Sequence, residues 1–591
     1  MMNKQYGFFT LARRSIKMYF KAASWFGVLE QTFAFLHSFS WGIGIIATQL
    51  LFDAVFRASD NAVNFWYIAA PLGILALVSI AQQVLNGAEN FVANEVAYKN
   101  GGIFMTILQR KLQRIPVKNF ENTSFLDDVN KAREGVDEVA ELAWISLQFF
   151  TYYVVFFATV GVYLFWLSPI LLVVLFASFI PAIIGQYIHV KIFTKLEEEN
   201  APMRRRYEYY QKAIADREYY KETRILGGFR YFHALFSQSL LVVTKKIWRT
   251  ERNMAIIMVL LNISAFVGLG LSTYLLFTHT MTGVITIGAF AAVFAALNRI
   301  FYVMDELLIW NLGGVTKNVG KVANYMRVLD MEEVDGSDGV PDFSKGIIAE
   351  NISFFYPGRD EPAVKELSLN IKDGDTIAIV GENGAGKSTL VRLLTGIYRP
   401  DSGTVKIGGL DTAKTLPNGI FTGISGVFQR YQRYKMTLAE NVAISDVTTD
   451  VNNVKIQSVI DEAEFNEENA NLDTMLSPEF DGIDLSGGQW QRLAIARGLY
   501  RENSFIVLDE PTAAIDPIEE ERIYNQFKKL AKDKCAIIVT HRLGSAKLAD
   551  RIVVMDGGEI VGLGTHDELI AKEGKYADMW TAQSAWYENR S

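Results

Sequence analysis

The chain has 591 residues, half of them hydrophobic, 13% aromatic and 21% charged, with a formal net charge of −7. That apolar content excludes a disordered or coiled-coil protein, and the acidic balance excludes the basic footprint of a nucleic-acid binder. One cysteine, Cys535, excludes an internal disulfide and fits a reducing compartment for that part of the chain.

Apolar residues concentrate before residue 340, where 31 Lys and Arg stand against 27 Asp and Glu; beyond it the balance is 27 against 38. Four stretches hold no Asp, Glu, Lys or Arg: Gln31–Phe52, Asn61–Ala88, Leu142–Val190 and Asn253–Asn298. A membrane-spanning helix takes roughly 20 such residues. The third and fourth stretches, 49 and 46 residues long, suffice for two spans each and are broken near the middle at Ser168-Pro169 and Thr282-Gly283. Six spans are therefore predicted, over 28–54, 63–86, 144–166, 170–190, 254–277 and 284–308. The first is too long for the apolar part of a secretory signal and has no small-residue cleavage site, so it is read as a retained span.

Basic residues gather ahead of the first span (Lys4, Arg13, Arg14, Lys17, Lys21), in the loop 89–141 and in the segment 191–252, whereas the short connections carry only Arg57. This bias predicts that both termini and the two long loops are cytoplasmic. Phe8, Phe9, Ile16, Tyr19 and Phe20 among the first basic residues predict a short helix lying on the inner surface. The long loops continue the helical pattern of the spans and must project into the cytoplasm. Pro116–Ser124 and the region near Ala213–Tyr220 form their tips, places suited to docking. Ionisable residues in or beside spans are candidates for a cargo site: Glu30, His37, Asp53, Glu89, Arg299, Asp305 and Glu306. Most stand near span ends, where interfacial anchoring is the simpler expectation. The clusters Phe33/Phe35/Phe39 and Phe149/Phe150/Tyr152/Tyr153 are read as packing or lipid-facing.

The sequence divides into a membrane domain over 1–335, a Gly- and Asp-rich linker over 336–345 and a second domain over 346–591. In the latter, Thr376–Val380 reads as a buried strand running into Gly381-Glu-Asn-Gly-Ala-Gly-Lys-Ser-Thr389, which opens an apolar-periodic helix. Glycines at 381, 384 and 386, with Asn383, let the backbone wrap so that N–H groups at a helix N-terminus converge on a phosphate. Lys387 neutralises phosphate oxygens, and Ser388 suits Mg²⁺. A second strand, Phe505–Leu508, ends in Asp509, placed for Mg²⁺, and Glu510, placed to orient or deprotonate a water.

Between them, Leu485-Ser-Gly-Gly-Gln489 precedes the helical run Trp490–Arg497. Together these residues resemble the nucleotide-binding domain of an ATP-binding cassette (ABC) transporter, an α/β P-loop fold with a helical subdomain. The resemblance implies further roles: Tyr356 stacks on adenine, Thr389 completes the phosphate loop, and Gln429 touches Mg²⁺. His541 meets the γ-phosphate, while Ala513–Asp516 links the two sites of a dimer. Ser486, Gly487, Gly488 and Gln489 face ATP held by a partner subunit, so one cassette per chain implies a working pair of chains. Both composite sites of a homodimer would be complete, which favours self-pairing.

Six spans followed by one cassette resemble the half-transporter layout of ABC exporters, whose loop tips dock on the cassettes. Phe480–Asp484 and Trp490 resemble the subgroup exporting bacteriocins, lantibiotics and other peptides. An N-terminal peptidase domain is not expected, since no cysteine is among the 27 residues ahead of the first span. The resemblance implies an ATPase that exports a peptide across the cytoplasmic membrane. A lipid or amphipathic drug is the alternative cargo; a nucleotide-gated channel or sensor, or an importer on the same scaffold, are the alternatives of another class.

Overall fold

The computed structural model describes residues 6–60, 64–509 and 533–588, with 522, 527 and 531. By packing it divides into two units. The first joins Met1–Gln113 to Asp127–Met331; the second joins the short segment Arg114–Leu126 to Glu332–Ser591.

The first unit is built on the uncharged runs. Its helices are α1 (Phe8–Asp60), α2 (Phe65–Arg114), α3 (Thr123–Gln148), α4 (Val154–Leu167), α5 (Pro169–Ala177), α6 (Ile180–Ala215), α7 (Tyr220–Ile225), α8 (Phe229–Met281), α9 (Ile287–Asp305) and α10 (Gly313–Leu329). Among the described residues, six segments are long and apolar enough to cross a membrane: Phe8–Ala58, Phe65–Arg114, Thr123–Leu167, Pro169–Glu197, Phe229–Met281 and Ile287–Ile309. At about 1.5 Å per residue, the 50 residues of α2 reach about 75 Å, more than twice the ~30 Å of hydrocarbon. Pro169 sits at the first turn of α5, where its missing N–H costs nothing. The expected surface helix and the first span are two halves of α1, separated at Ser24, whose φ of 44° and ψ of −121° bend the chain.

Of the candidate ionisable residues, Glu30, His37, Asp53, Glu89, Arg299 and Glu306 are engaged inside this unit rather than anchored at span ends, whereas Asp305 is exposed. His37 Nδ1 is 2.7 Å from Glu89 Oε2, Gln148 donates to Glu89 Oε1 at 3.0 Å, and Trp41 donates to His37 at 3.3 Å. Glu30 is fully buried and accepts the hydroxyl of Tyr19. Asp53 accepts the N–H of Gly288 at 3.0 Å and the Thr286 hydroxyl at 3.1 Å, satisfying the first turn of α9. Arg299 donates to the Tyr152 hydroxyl at 2.8 Å and lies 4.3 Å over the Trp41 ring. Two π-helical turns, Phe149–Tyr153 and Glu306–Leu312, are joined by Tyr153, which donates to Glu306 at 3.1 Å and accepts from Asn311 at 2.5 Å. Sequence position suggested anchoring because span ends are wet. Partnering wins because a group buried among helices must be satisfied there.

Among its described residues the second unit holds two sheets. One is antiparallel, in the order β2 (Val364–Ile371), β1 (Ile347–Phe354), β4 (Ser402–Ile407), β5 (Leu410–Asp411). The other runs β10 (Glu559–Gly564), β9 (Arg551–Asp556), β3 (Thr376–Gly381), β8 (Cys535–Val539), β7 (Phe505–Asp509), β6 (Ile424–Val427). Strands β9, β3, β8, β7 and β6 pair in parallel. Buried on both faces, β8 and the Phe505–Leu508 part of β7 are continuous apolar runs. One core lies between the sheets and the helix α11 (Lys387–Leu394); another, around Trp490, Leu493 and Phe465, fills a helical lobe.

Candidate nucleotide site

β3 lies in the interior of the parallel sheet, and its carboxyl end delivers the chain into the glycine loop, the position where such sheets bind ligands. The loop demands glycine. Gly381, Gly384 and Gly386 have φ of 153°, 86° and 96°. A Cβ on Gly381 would stand 2.3 Å from the Met555 oxygen, and one on Gly386 2.4 Å from the Ala363 oxygen. Gly386 caps α11, whose first-turn N–H groups have no acceptor within the helix and are open to an anion.

Lys387 is 6% exposed, and its ammonium donates to the main-chain oxygens of Gly381 and Glu382, each at 3.0 Å. Ser388 Oγ is 3.5 Å from Asp509 Oδ1. These two hard oxygens suit Mg²⁺, which is held by one or two protein oxygens together with substrate phosphates. Among the described residues there is no cluster of three or more His, Cys, Asp or Glu to hold an ion without such help. The Tyr356 hydroxyl is 3.1 Å from Thr389 Oγ1 and accepts from Arg392 at 3.1 Å. Arg392 also donates to Tyr398, whose hydroxyl donates to Glu121. Burial, and that bond to a carboxylate, push the Tyr398 hydroxyl well above its ordinary range.

Two supports, one of the phosphate loop and one of the His541 segment, were not legible in the sequence. Lys575, on the helix Lys575–Glu588, is 2.7 Å from Glu382 and 3.3 Å from Asp556. From the same helix, Gln583 donates to the main-chain oxygen of His541 at 2.5 Å and accepts the N–H of Leu543 at 3.0 Å. Both contacts depend on how a remote helix docks, which no local pattern encodes.

Ser486 caps the signature helix Gly487–Tyr500 in a reciprocal box with Gln489. Gln489 further donates to Glu467 at 2.5 Å. Ser486, Gly487 and Gly488 are exposed, and no atom lies within 4 Å of a Cβ built on either glycine. Among the described residues no hydrogen bond or ion pair joins these signature residues to the phosphate loop of their own chain. Gln429 stands exposed just beyond β6. Glu510 and Ala513–Asp516 lie outside the described residues.

A buried strand, a glycine cradle with a lysine and a serine–aspartate pair define a P-loop nucleotide-binding domain, here joined to membrane-spanning helices. Residues 364–513 match the family profile described as ABC transporter. The subtilin transport ATP-binding protein SpaT of Bacillus subtilis is 42% identical over 229 residues, covering 38% of this chain and 37% of that protein. The nisin transport ATP-binding protein NisT of Lactococcus lactis is 35% identical over 238 residues, 39% of this chain and 40% of that protein. The matches therefore span less than half the length of these two relatives. An ATP-dependent lipid A-core flippase of Alkalilimnicola ehrlichii is 27% identical over 563 residues, 92% of this chain and 91% of that protein. A bacterial Atm1-family ABC exporter with ATP bound has the same fold, with a TM-score of 0.73 at 20% identity, covering 95% of this chain and 99% of that one. The region 364–513 is an ABC transporter domain, and the chain as a whole has the fold of an ABC exporter, a multi-pass membrane protein with a cytoplasmic cassette.

Proposed function

We propose that the chain is an ATP-driven exporter working as a pair of identical chains, with a peptide as cargo. The observation that carries this reading is the exposed Ser486-Gly487-Gly488 turn. It is a helix N-terminus shaped for an anion, and among the described residues no bond joins it to the phosphate loop of its own chain. A second copy supplies that loop. ATP held by the loop of one copy and the turn of the other joins two cassettes, and their closure switches the spans from inward-open to outward-open. ATP moves that equilibrium only by its preference for the closed pair.

Within each site the chain's groups divide the work. Tyr356 carries the adenine face, Thr389 and the loop N–H groups hold phosphate, and Lys387 exchanges two main-chain oxygens for phosphate oxygens. Bound Mg²⁺ supplies charge neutralisation on the phosphates, with Ser388, Asp509 and Gln429 as its protein oxygens. Glu510 takes the proton of the attacking water, His541 holds the γ-phosphate, and Asp516 links one site to the other. A lipid as cargo is the second reading, favoured by the match to the lipid A-core flippase over 92% of this chain.

The test mixes two inactive variants in lipid discs. Lys387→Ala spoils the loop and Ser486→Arg spoils the turn, so each homodimer has two broken sites. A mixed dimer regains one intact site of two; with equal amounts half of the dimers are mixed, so hydrolysis returning toward about a quarter of the native rate is expected. No recovery, or full activity from a single chain, overturns the pairing. Stimulation of hydrolysis by peptides but not by lipid A separates the two cargoes.

A further inference from the structure

The loop after β6 carries Gln429 and, two residues on, Tyr431. The Tyr431 hydroxyl donates to the main-chain oxygen of Gly487 at 2.8 Å. Its ring is half-buried against the core of the helical lobe, so the hydroxyl is held in place. Arg497, on the same helix as Gly487, grips the loop from a second point. It donates to the Gln432 oxygen at 2.7 Å, lies 5.0 Å over the Tyr434 ring, and binds the Asn441 main-chain oxygen at 2.7 Å. The loop is thus fastened to the first turn of the signature helix and again near its far end.

The bond to Gly487 falls at a consequential atom. The oxygen of Gly487 and the N–H of Gly488 belong to one planar trans peptide and point in opposite directions. Holding the oxygen sets the aim of the N–H. Gly488 lies in the first turn, where an N–H has no acceptor within the helix, and neither glycine has a side chain to brace that plane. A hydrogen bond to the oxygen also polarises the peptide and strengthens its N–H as a donor.

We propose that Tyr431 is a positioning residue: through the Gly487 oxygen it aims the Gly488 N–H at the phosphate bound by the other copy. Gln429 stands on the same loop, so the nucleotide state of one site reaches the donor that serves the other. This rests on the paired-site reading above.

The test uses the full chain in lipid discs. Glu510→Gln blocks turnover, and in that background the ATP concentration at half-maximal closure is read from spin-label distances between cassettes. Adding Tyr431→Phe keeps the ring and removes the donor. The expected result is a midpoint raised about fivefold (~1 kcal/mol), with unchanged affinity for a fluorescent ADP analogue and an unchanged melting temperature. In the hydrolytic background, kcat falls about fivefold while the binding affinity of the open form holds. An unchanged midpoint overturns the proposal. So does a loss confined to nucleotide affinity, which would assign Tyr431 to its own site. If Glu510→Gln with Tyr431 intact does not close on ATP, the paired-site reading itself has failed, a result distinct from either.

Discussion

Lys118 Nζ lies 2.6 Å from Asp401 Oδ1, and the other oxygen of that carboxylate accepts the N–H of Phe355 at 2.8 Å. The same ammonium stands 4.8 Å over the ring of Phe354. Three residues on, Glu121 accepts from Tyr398 and lies 3.8 Å from Arg392, the donor to Tyr356. The tip of the first long loop therefore grips the end of β1, where the chain turns to Tyr356, by two charged pegs.

Those pegs are partly exposed, with Lys118 and Asp401 side chains 28% and 37% accessible, so each contributes only ~0.2–1 kcal/mol to folding. The role proposed for them is transmission. Replacing both, Lys118→Ala with Glu121→Ala, is expected to leave expression and basal ATP hydrolysis within about twofold of native and to lower cargo moved per ATP about fivefold. Reconstituted transport measured beside phosphate release gives that ratio, and an unchanged ratio would remove the loop tip from the coupling route.

Gly386 gives a sharper loss. Its φ of 96° already strains an L-residue, by ~1–2 kcal/mol, and a Cβ there would stand 2.4 Å from the Ala363 oxygen. The collision partner is backbone and cannot swing aside. Gly386→Ala is expected to weaken ATP-analogue binding at least about tenfold while the helical content of the chain stays native. Fluorescence titration with circular dichroism on the same sample checks both halves.

Where a local rule governs, the sequence could be read directly. Uncharged runs of 49 and 46 residues have no comfortable place but a bilayer, and a strand feeding a Gly-rich turn and a helix has one common use. The mutual approach of Ser388 and Asp509 follows from the order of strands in a parallel sheet. Distant pairings were opaque: nothing near Lys118 in the chain points to Asp401, and nothing near Gln583 points to His541. Tyr431 is opaque too: a tyrosine among polar loop residues carries no periodic signal, and its partner is a main-chain atom. The bend at Ser24 was hidden too, since helical periodicity continues on both sides of it.

Cys535 gives a pH dependence whose sign is fixed by burial. The thiol sits on β8, donates to the Lys372 oxygen at 3.3 Å, and is pushed up to about 11 because burial disfavours the thiolate. In the unfolded chain it ionises near ~8.5. The stability it contributes is whole below that value and is lost as pH rises toward 11. The stability of the cassette is thus expected to fall more steeply above pH ~9 in the native chain than in Cys535→Ala. Melting curves of the two chains across pH 8 to 11 test this. At neutral pH, iodoacetamide should label Cys535 only as fast as the cassette opens.

Trp490 was one of the residues that suggested a peptide exporter, yet its position is that of a packing residue. It is 2% exposed, sits among Leu485, Leu493 and Phe465, and its indole N–H is 3.5 Å from Asp484 Oδ1. It also occupies the first turns of the helix that Ser486 caps. Truncation to Ala removes that filling and is expected to cost ~3–5 kcal/mol, enough to unfold the lobe at working temperature. Trp490→Phe keeps most of the volume, and its cost should fall to ~1–2 kcal/mol. If the residue acts only by packing, the Phe chain will lose thermal stability yet retain the order in which different cargoes stimulate its hydrolysis. A reordered cargo profile in a stably folded Phe chain would instead give Trp490 a part in selecting what is moved.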